Sequence, residues 1–219
     1  MAKKIGVLLS GCGYLDGAEI HEATLTLYFL DRAGAEIICM APDKDQADVI
    51  DHNAAEPQGD PRNVLREAGR IARGNIRDVA KVDAAELDGL IIPGGFGAAK
   101  NLCSFAADGP SCSVDPGVST LVTRMHAAKK PIGALCIAPA LVAKILGADH
   151  HVELTIGNDK GTAEALGAMG AKHVDQVVDD IVVDEGNRVV STPCYMLATG
   201  PAQVGAGVEK LVTKLLAWL

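Results

Sequence analysis

Short apolar runs, each closed by glycine or proline and followed by a helical pattern, recur along the chain. Lys4 to Ser10 (KIGVLLS), closed by Gly11 and Gly13, reads as a buried parallel strand, because a strand covered on both faces is apolar at consecutive positions. From Ala18 to Arg32, Ile20, Leu25, Leu27, Tyr28, Phe29 and Leu30 follow a helical pattern that stops at Gly34. Ala35 to Met40 (AEIICM) is a second strand, ended by Pro42. Residues 43 to 60, rich in Asp, predict an irregular excursion with at most a short hairpin. Asp60-Pro61 then sets up a helix to about Arg73.

The alternation resumes at Leu87, where LDGLIIPGGFG is a strand running into glycines and Ala98 to Leu102 begins a short helix. The stretch 103 to 114 reads as loop. Asp115-Pro116 is an N-cap followed by proline at the first helical position, and predicts a helix to about Lys129. In PIGALCIAPALVAKILG, Ile132 to Leu135 is a strand, Cys136 stands at its end, and Ile137 to Leu146 is a helix closed by Gly147. A helix at 162 to 169, a hairpin at 181 to 192 (IVVDEGNRVVST) and an amphipathic helix from about Ala202 to Leu219 complete the pattern. Strands alternating with helices imply a mostly parallel sheet covered on both faces, a flavodoxin-like three-layer α/β sandwich with a small hairpin near the C-terminus.

Composition sharpens this picture. The 219 residues fit one domain with a substantial core. Only seven residues are aromatic (three Phe, three Tyr, one Trp), which leaves little material for an aromatic cage or a base-stacking platform and favours a narrow site for a small compound. A net charge of −8 without blocks of like charge argues against a nucleic-acid partner. No apolar stretch reaches the roughly eighteen residues of a membrane helix, and the N-terminal run is too short for a signal peptide, so a soluble cytoplasmic protein is expected. The six cysteines lie far apart with no CxxC pair, which suggests reduced thiols and no zinc site.

Of these thiols Cys136 carries the most chemistry. A side chain between strand and helix projects at the carboxyl edge of the sheet, where open α/β folds place their ligand crevice. The unpaired N–H groups of the following helix favour a thiolate, so a nucleophile at neutral pH is expected. The alternative is a small buried hydrophobe. Pro93-Gly94-Gly95-Phe96-Gly97 reaches the same edge, and its glycines permit backbone N–H groups to face a carbonyl oxygen. Together Gly94, Gly95 and Ile137 form a candidate oxyanion hole.

The PGG loop, the strand-Cys-helix elbow and a carboxylate in the helix after the first strand resemble the class I glutamine amidotransferase-like superfamily. The segments SGCGYLDGAEIHEA, CMAPDK, PRNVLREAGRIARG, LIIPGGFGAAKNL, LCIAPAL, LTIGND, DDIVVDE and TPCYMLA, spread over nearly the whole chain, resemble the bacterial ElbB glyoxalase family, also described as isoprenoid-biosynthesis or sigma cross-reacting proteins. The resemblance implies one such domain over residues 1–219 and a cofactor-independent lyase that converts glyoxal to glycolate without glutathione, an activity also read as a by-product of deglycation. It assigns Cys136 as nucleophile and Glu22 as the carboxylate that meets it. A buried carboxyl has a raised pKa and passes protons near neutrality, whereas a solvated Glu, the reading given to Glu19, does not.

The family pattern is departed from at two positions. Cys136 is followed by Ile137, and the LTIGND segment supplies no histidine, so a glutaminase or peptidase triad lacks its base. Addition of the cysteine to an aldehyde, with a dicarbonyl as substrate, is the chemistry expected instead. A non-catalytic stress or redox-sensing protein is the alternative. Gly11-Cys12-Gly13-x-x-x-Gly17 offers a weak dinucleotide-like loop, and Cys12, Gly11 and Gly13 could belong to the pocket. His21 lies next to Glu22 but about 100° away on the helix, a poor direct base for Cys136. No metal or cofactor is called for. Trp218 and Leu219 could pack in a homodimer, or the terminal helix could dock on its own domain.

Overall fold

The computed structural model describes residues 2–219. β1 (Lys4–Leu8) leads to α1 (Ile20–Arg32) and β2 (Glu36–Ala41). The excursion after β2 holds the two-residue hairpin strands β3 (Ile50–Asp51) and β4 (Glu56–Pro57), then α2 (Val64–Ile71) and the edge strand β5 (Arg77–Asp78). The second half runs β6 (Gly89–Ile92), α3 (Phe96–Lys100), α4 (Phe105–Asp108), α5 (Pro116–Ala127), β7 (Ile132–Leu135) and α6 (Ala138–His150). It ends with β8 (Glu153–Leu154), α7 (Lys160–Ala168), β9 (Lys172–His173), β10 (Val182–Asp184), β11 (Val189–Thr192) and α8 (Pro201–Ala217).

Seven strands form one sheet in the order β10-β11-β7-β6-β1-β2-β5, parallel throughout except for β10, which pairs antiparallel with β11 as the expected C-terminal hairpin. Alternate residues of each strand feed opposite sides. Ile5, Val7 and Ile91 pack with α1, α2 and α8 on one face; Leu8, Leu90 and Ile92 pack with α3, α5 and α6 on the other. This is why the strands read as continuous apolar runs. The chain winds outward from β1 through β2 to β5, then returns to the other side of β1 as β6, so the order reverses between β1 and β6. Such a switch point opens a crevice at the carboxyl ends of the strands.

Several boundaries differ from expectation for local reasons. α2 starts after Asn63, whose side chain accepts from the Arg66 N–H, and not at Asp60-Pro61. Asp159 caps α7 by accepting from the Thr162 N–H, which starts that helix at Lys160. The segment 103 to 114 carries the short α4 and closes on itself through an antiparallel bridge between Cys103 and Val114. Gly147 does not end α6: the helix passes through it to His150 and stops at left-handed His151. A Cβ on Gly147 would lie 2.4 Å from the Met169 carbonyl oxygen, so this glycine serves close packing on the turn after α7.

No described helix is long and apolar enough to cross a membrane. At the C-terminus, the Trp218 indole N–H donates to Glu185 at 2.8 Å and Lys214 lies over the ring, so this side chain is engaged within the chain.

Candidate active site

The site is assembled from the ends of β1, β6, β7 and β11. Cys136 follows β7 with φ 56°, the left-handed conformation that lets a strand turn at once into a helix. Its N–H donates to the Thr192 carbonyl at 3.0 Å, extending the β7–β11 ladder by one residue before the turn. Ile137 caps α6 without a side-chain hydrogen bond, and Pro139 stands in the first turn. The elbow is therefore rigid on both sides.

Glu22 lies in the first turn of α1 and is fully buried. Its Oε2 accepts from the Gly94 N–H at 2.8 Å and its Oε1 from the Tyr195 N–H at 3.3 Å. Burial, with the nearby Glu19 carboxylate as second cause, pushes its carboxyl up to about 8, and the two backbone donors oppose that rise. The Cys136 sulfur and the Glu22 carboxyl are hydrogen-bonding partners. A Cβ on Gly94 would lie 2.5 Å from Cys136 Cβ and 2.9 Å from Glu22 Oε2, so only glycine fits between them.

Three expectations about the site are corrected. Burial, followed by the Glu22 charge, raises the Cys136 thiol well above its ordinary value. The N–H groups of Gly95 and Ile137 favour the thiolate but do not overcome that burial, so an isolated thiolate at neutral pH is not the resting state. Of the three amides expected to face an oxyanion, the Gly94 N–H is committed to Glu22, which leaves Gly95 and Ile137 directed at the sulfur. Glu19, read as a solvated residue, is buried: its carboxylate caps α1 by accepting from the Glu22 N–H at 2.7 Å.

Gly11, Cys12 and Gly13, in the loop after β1, do not line the cavity over this pair. Gly13 donates to Ala18 and Gly17 donates to Gly13, so these amides are consumed inside the loop. A Cβ on Gly13 would strike the His52 ring, and Gly11 lies against Gly17. Cys12 has Arg70, Glu67 and Asp16 as its charged neighbours and does not line the cavity over Cys136. The N-terminus of α1 already holds the Glu19 carboxylate where a phosphate would sit, so the dinucleotide-like reading finds no cradle. His21 contacts the Tyr195 hydroxyl at 2.6 Å and does not line the cavity over Cys136. Among the described residues no cluster of three or more His, Cys, Asp or Glu has a metal-binding arrangement.

A cavity of about 400 Å³ opens over Cys136, with Gly95, Ile137 and Glu19 in its walls. Tyr14, Phe96, Phe105 and Tyr195 also line it, four of the seven aromatic residues of the chain. The low aromatic count thus misled: the few rings are concentrated at one place. Of the residues missed in the sequence, Tyr195 and Cys194 had an available signal, because Val189-Val190-Ser191-Thr192-Pro193 is a strand run ending at the same sheet edge. Phe105 had none, since it sits in a segment without periodicity.

An open parallel sheet with a cysteine elbow facing a buried glutamate at its switch point defines a class I glutamine amidotransferase-like protein. No family model matches the chain. It is 47% identical over 225 residues to the human mitochondrial glutamine amidotransferase-like class 1 domain-containing protein 3, covering 98% of this chain and 83% of the relative. The zebrafish (Danio rerio) mitochondrial ES1 protein is 36% identical over 89% of this chain and 77% of its own length. Among solved structures, an isoprenoid biosynthesis protein with an amidotransferase-like domain from Ehrlichia chaffeensis superposes with a TM-score of 0.91 at 38% identity, covering 99% of this chain and all of the other. The chain belongs to the ES1 family of glutamine amidotransferase-like class 1 domain proteins.

Proposed function

We propose that this chain is a cofactor-independent glyoxalase of the kind its resemblance to the bacterial ElbB family implies, converting a dicarbonyl such as glyoxal to the hydroxy acid, with deglycation of adducts as related chemistry. The observation that carries the reading is the buried Cys136–Glu22 pair beneath a cavity, with Glu22 at about 8. With one proton removed, the pair shares the remaining proton between sulfur and carboxylate. As the sulfur adds to an aldehyde carbon, Glu22 holds the thiol proton and passes it to the carbonyl oxygen, giving a hemithioacetal. The Gly95 and Ile137 amides stabilise the developing oxyanion. Glu22 then takes the C–H proton of that carbon and returns it to the neighbouring carbonyl carbon, while the hydroxyl proton of the hemithioacetal passes to the oxygen of that neighbour, which leaves a hydroxyacyl thioester. Water cleaves it to glycolate and the free thiol. Cys136 and Glu22 are in these roles catalytic.

The competing reading is a stress or redox-sensing protein. Sensor thiols are exposed and held low in pKa, whereas Cys136 is buried and raised, which favours the enzyme. A glyoxal turnover assay of the wild type against Cys136→Ala tests the proposal: equal rates would remove it. Residence in the cytoplasm is part of the same proposal, and fractionation checks it against the mitochondrial placement in the names of the human and zebrafish relatives. A homodimer is likewise proposed, with sedimentation as its measure.

A further inference from the structure

Glyoxal leaves most of the cavity over Cys136 unused. A space of about 400 Å³ falls in the range of roughly 300–1,000 Å³ that holds drug-sized ligands. Its walls are mainly apolar, with the Phe96 and Phe105 rings in them. Phe96 and Tyr14 also stand at its rim about half exposed, at 47% and 49%, tied together by the Phe96 N–H donating to the Tyr14 carbonyl at 2.7 Å. The Lys100 ammonium lies over the Phe96 ring at 5.2 Å and His52 stands edge-on to Tyr14, and the half of each ring left exposed is apolar area for a ligand to cover. The charges point the same way. The lining includes one carboxyl side chain, Glu19, and no Lys or Arg. A substrate carboxylate would therefore meet another carboxyl group, and Lys100, the cation over the Phe96 ring, is already paired with Asp48 at 2.6 Å.

We infer that the substrate of this site is an uncharged α-oxoaldehyde bearing an aromatic or comparably large apolar group, which lies against Phe96 and Phe105 while its aldehyde carbon meets Cys136. The inference rests on the glyoxalase reading and names its substrate class. The balance is unchanged: phenylglyoxal plus water gives mandelate, by the same addition, proton shift between adjacent carbons and thioester hydrolysis, with no oxidant or reductant. The ring stays on the carbon that becomes the carbinol.

The test compares kcat/KM of the wild type for glyoxal, phenylglyoxal and 4-carboxyphenylglyoxal, then repeats it with Phe96→Ala and Phe105→Ala. Phenylglyoxal is expected to exceed glyoxal by about tenfold or more, the carboxylated compound to fall at least about tenfold below phenylglyoxal, and each variant to narrow the phenylglyoxal-to-glyoxal ratio. Phe96 is half exposed, so its replacement leaves the core intact. The wild-type comparison needs no variant at all. Turnover of glyoxal equal to or faster than phenylglyoxal would overturn the substrate class while leaving the glyoxalase reading in place. A ratio unaltered in both variants, or equal rates for the charged and uncharged aryl compounds, would likewise overturn it. Turnover of none of the three compounds would remove the glyoxalase reading and this inference with it.

Discussion

Cys136 and Cys194 are near twins in backbone and opposite in opportunity. Both stand just past the ends of β7 and β11, which are paired in parallel, and both are left-handed, with φ 56° and 46°. Both thiols are raised well above their ordinary value by burial first and by the Glu22 charge second. The difference lies in the residues that come after each. Cys136 leads into a 13-residue helix, the N–H groups of its cap Ile137 and of Gly95 from the facing loop are directed at the sulfur, and its side chain reaches the cavity. Cys194 opens a single turn, its carbonyl accepts from Leu197 and Ala198, and its side chain is completely covered. On the proposed mechanism, a strained elbow beside a buried glutamate is not sufficient for a nucleophile; donors and an opening must coincide with it.

The sharpest way to break that comparison is to remove each thiol. Cys136→Ala is expected to abolish dicarbonyl turnover, by roughly 10³-fold or more, since no other group at the site can form the covalent intermediate. Cys194→Ala should keep turnover within a few-fold and lose only the packing of one sulfur, on the order of 1 kcal/mol in denaturant unfolding. Comparable losses in both would mean that the two cysteines act as a unit.

Next in size is Glu22, which both cysteines share. Glu22→Gln keeps an acceptor for the Gly94 N–H but cannot shuttle a proton, so kcat is expected to fall by about 10²–10⁴. Two pH signatures accompany it. Wild-type kcat/KM should climb with a midpoint near pH 8 as the pair loses its first proton and level off above it, and the Gln variant should lack that rise. Stability should move in the other direction. Because the folded carboxyl titrates at about 8 and the ordinary value is 4.5, the folded state binds more protons between these pH values. Unfolding free energy therefore falls across that window by up to several kcal/mol, with no contribution to the slope below it. Urea melts of the Gln variant should show a flatter dependence; an unchanged slope would mean that Glu22 is not held neutral.

The contrast between the two elbows also explains what could be read in advance. The strand-helix alternation, the C-terminal hairpin and the position of Cys136 are local signals: apolar runs, glycine stops and a Pro near a helix start. The burial of Glu22 and Glu19 is not local. Both occupy the start of an ordinary helix, and only the docking of the Gly94-Gly95 loop on that turn, through the Glu19 N–H donating to the Gly94 carbonyl at 2.9 Å, buries them. The raised Cys136 thiol has its origin in the same docking, which adds a carboxylate and removes water where the helix start alone would favour charge. Composition said least about the pocket, because a tally of seven rings carries no information on where the chain brings them together.

A loop that buries a carboxylate should tolerate no extra atom where it touches the pair. Gly94→Ala places a methyl 2.5 Å from Cys136 Cβ, which the backbone fixes, and 3.0 Å from its sulfur. Overpacking of this kind costs about 1–3 kcal/mol, and the displaced elbow should reduce turnover by roughly 10²-fold. Gly186→Ala is the matched control, its nearest neighbour being Asp184 Oδ1 at 3.5 Å. Equal melting temperatures and rates in the two variants would show that the elbow yields.

The smallest effect expected is at Tyr195, which touches the site twice by different atoms. Its backbone N–H holds Glu22, and its hydroxyl holds His21 at the surface. Tyr195→Phe removes only the second contact, an exposed hydrogen bond worth about 0.5–1.5 kcal/mol at most. Turnover should change less than about threefold if proton movement is confined to Glu22 and the bound substrate. A loss near 10²-fold, within the range of general acid–base catalysis, would instead route protons through Tyr195 and His21 to solvent. The imidazole would then supply at one remove the base that the elbow lacks. His21→Ala should reproduce that loss if the route exists, and match Tyr195→Phe in its mild effect if it does not.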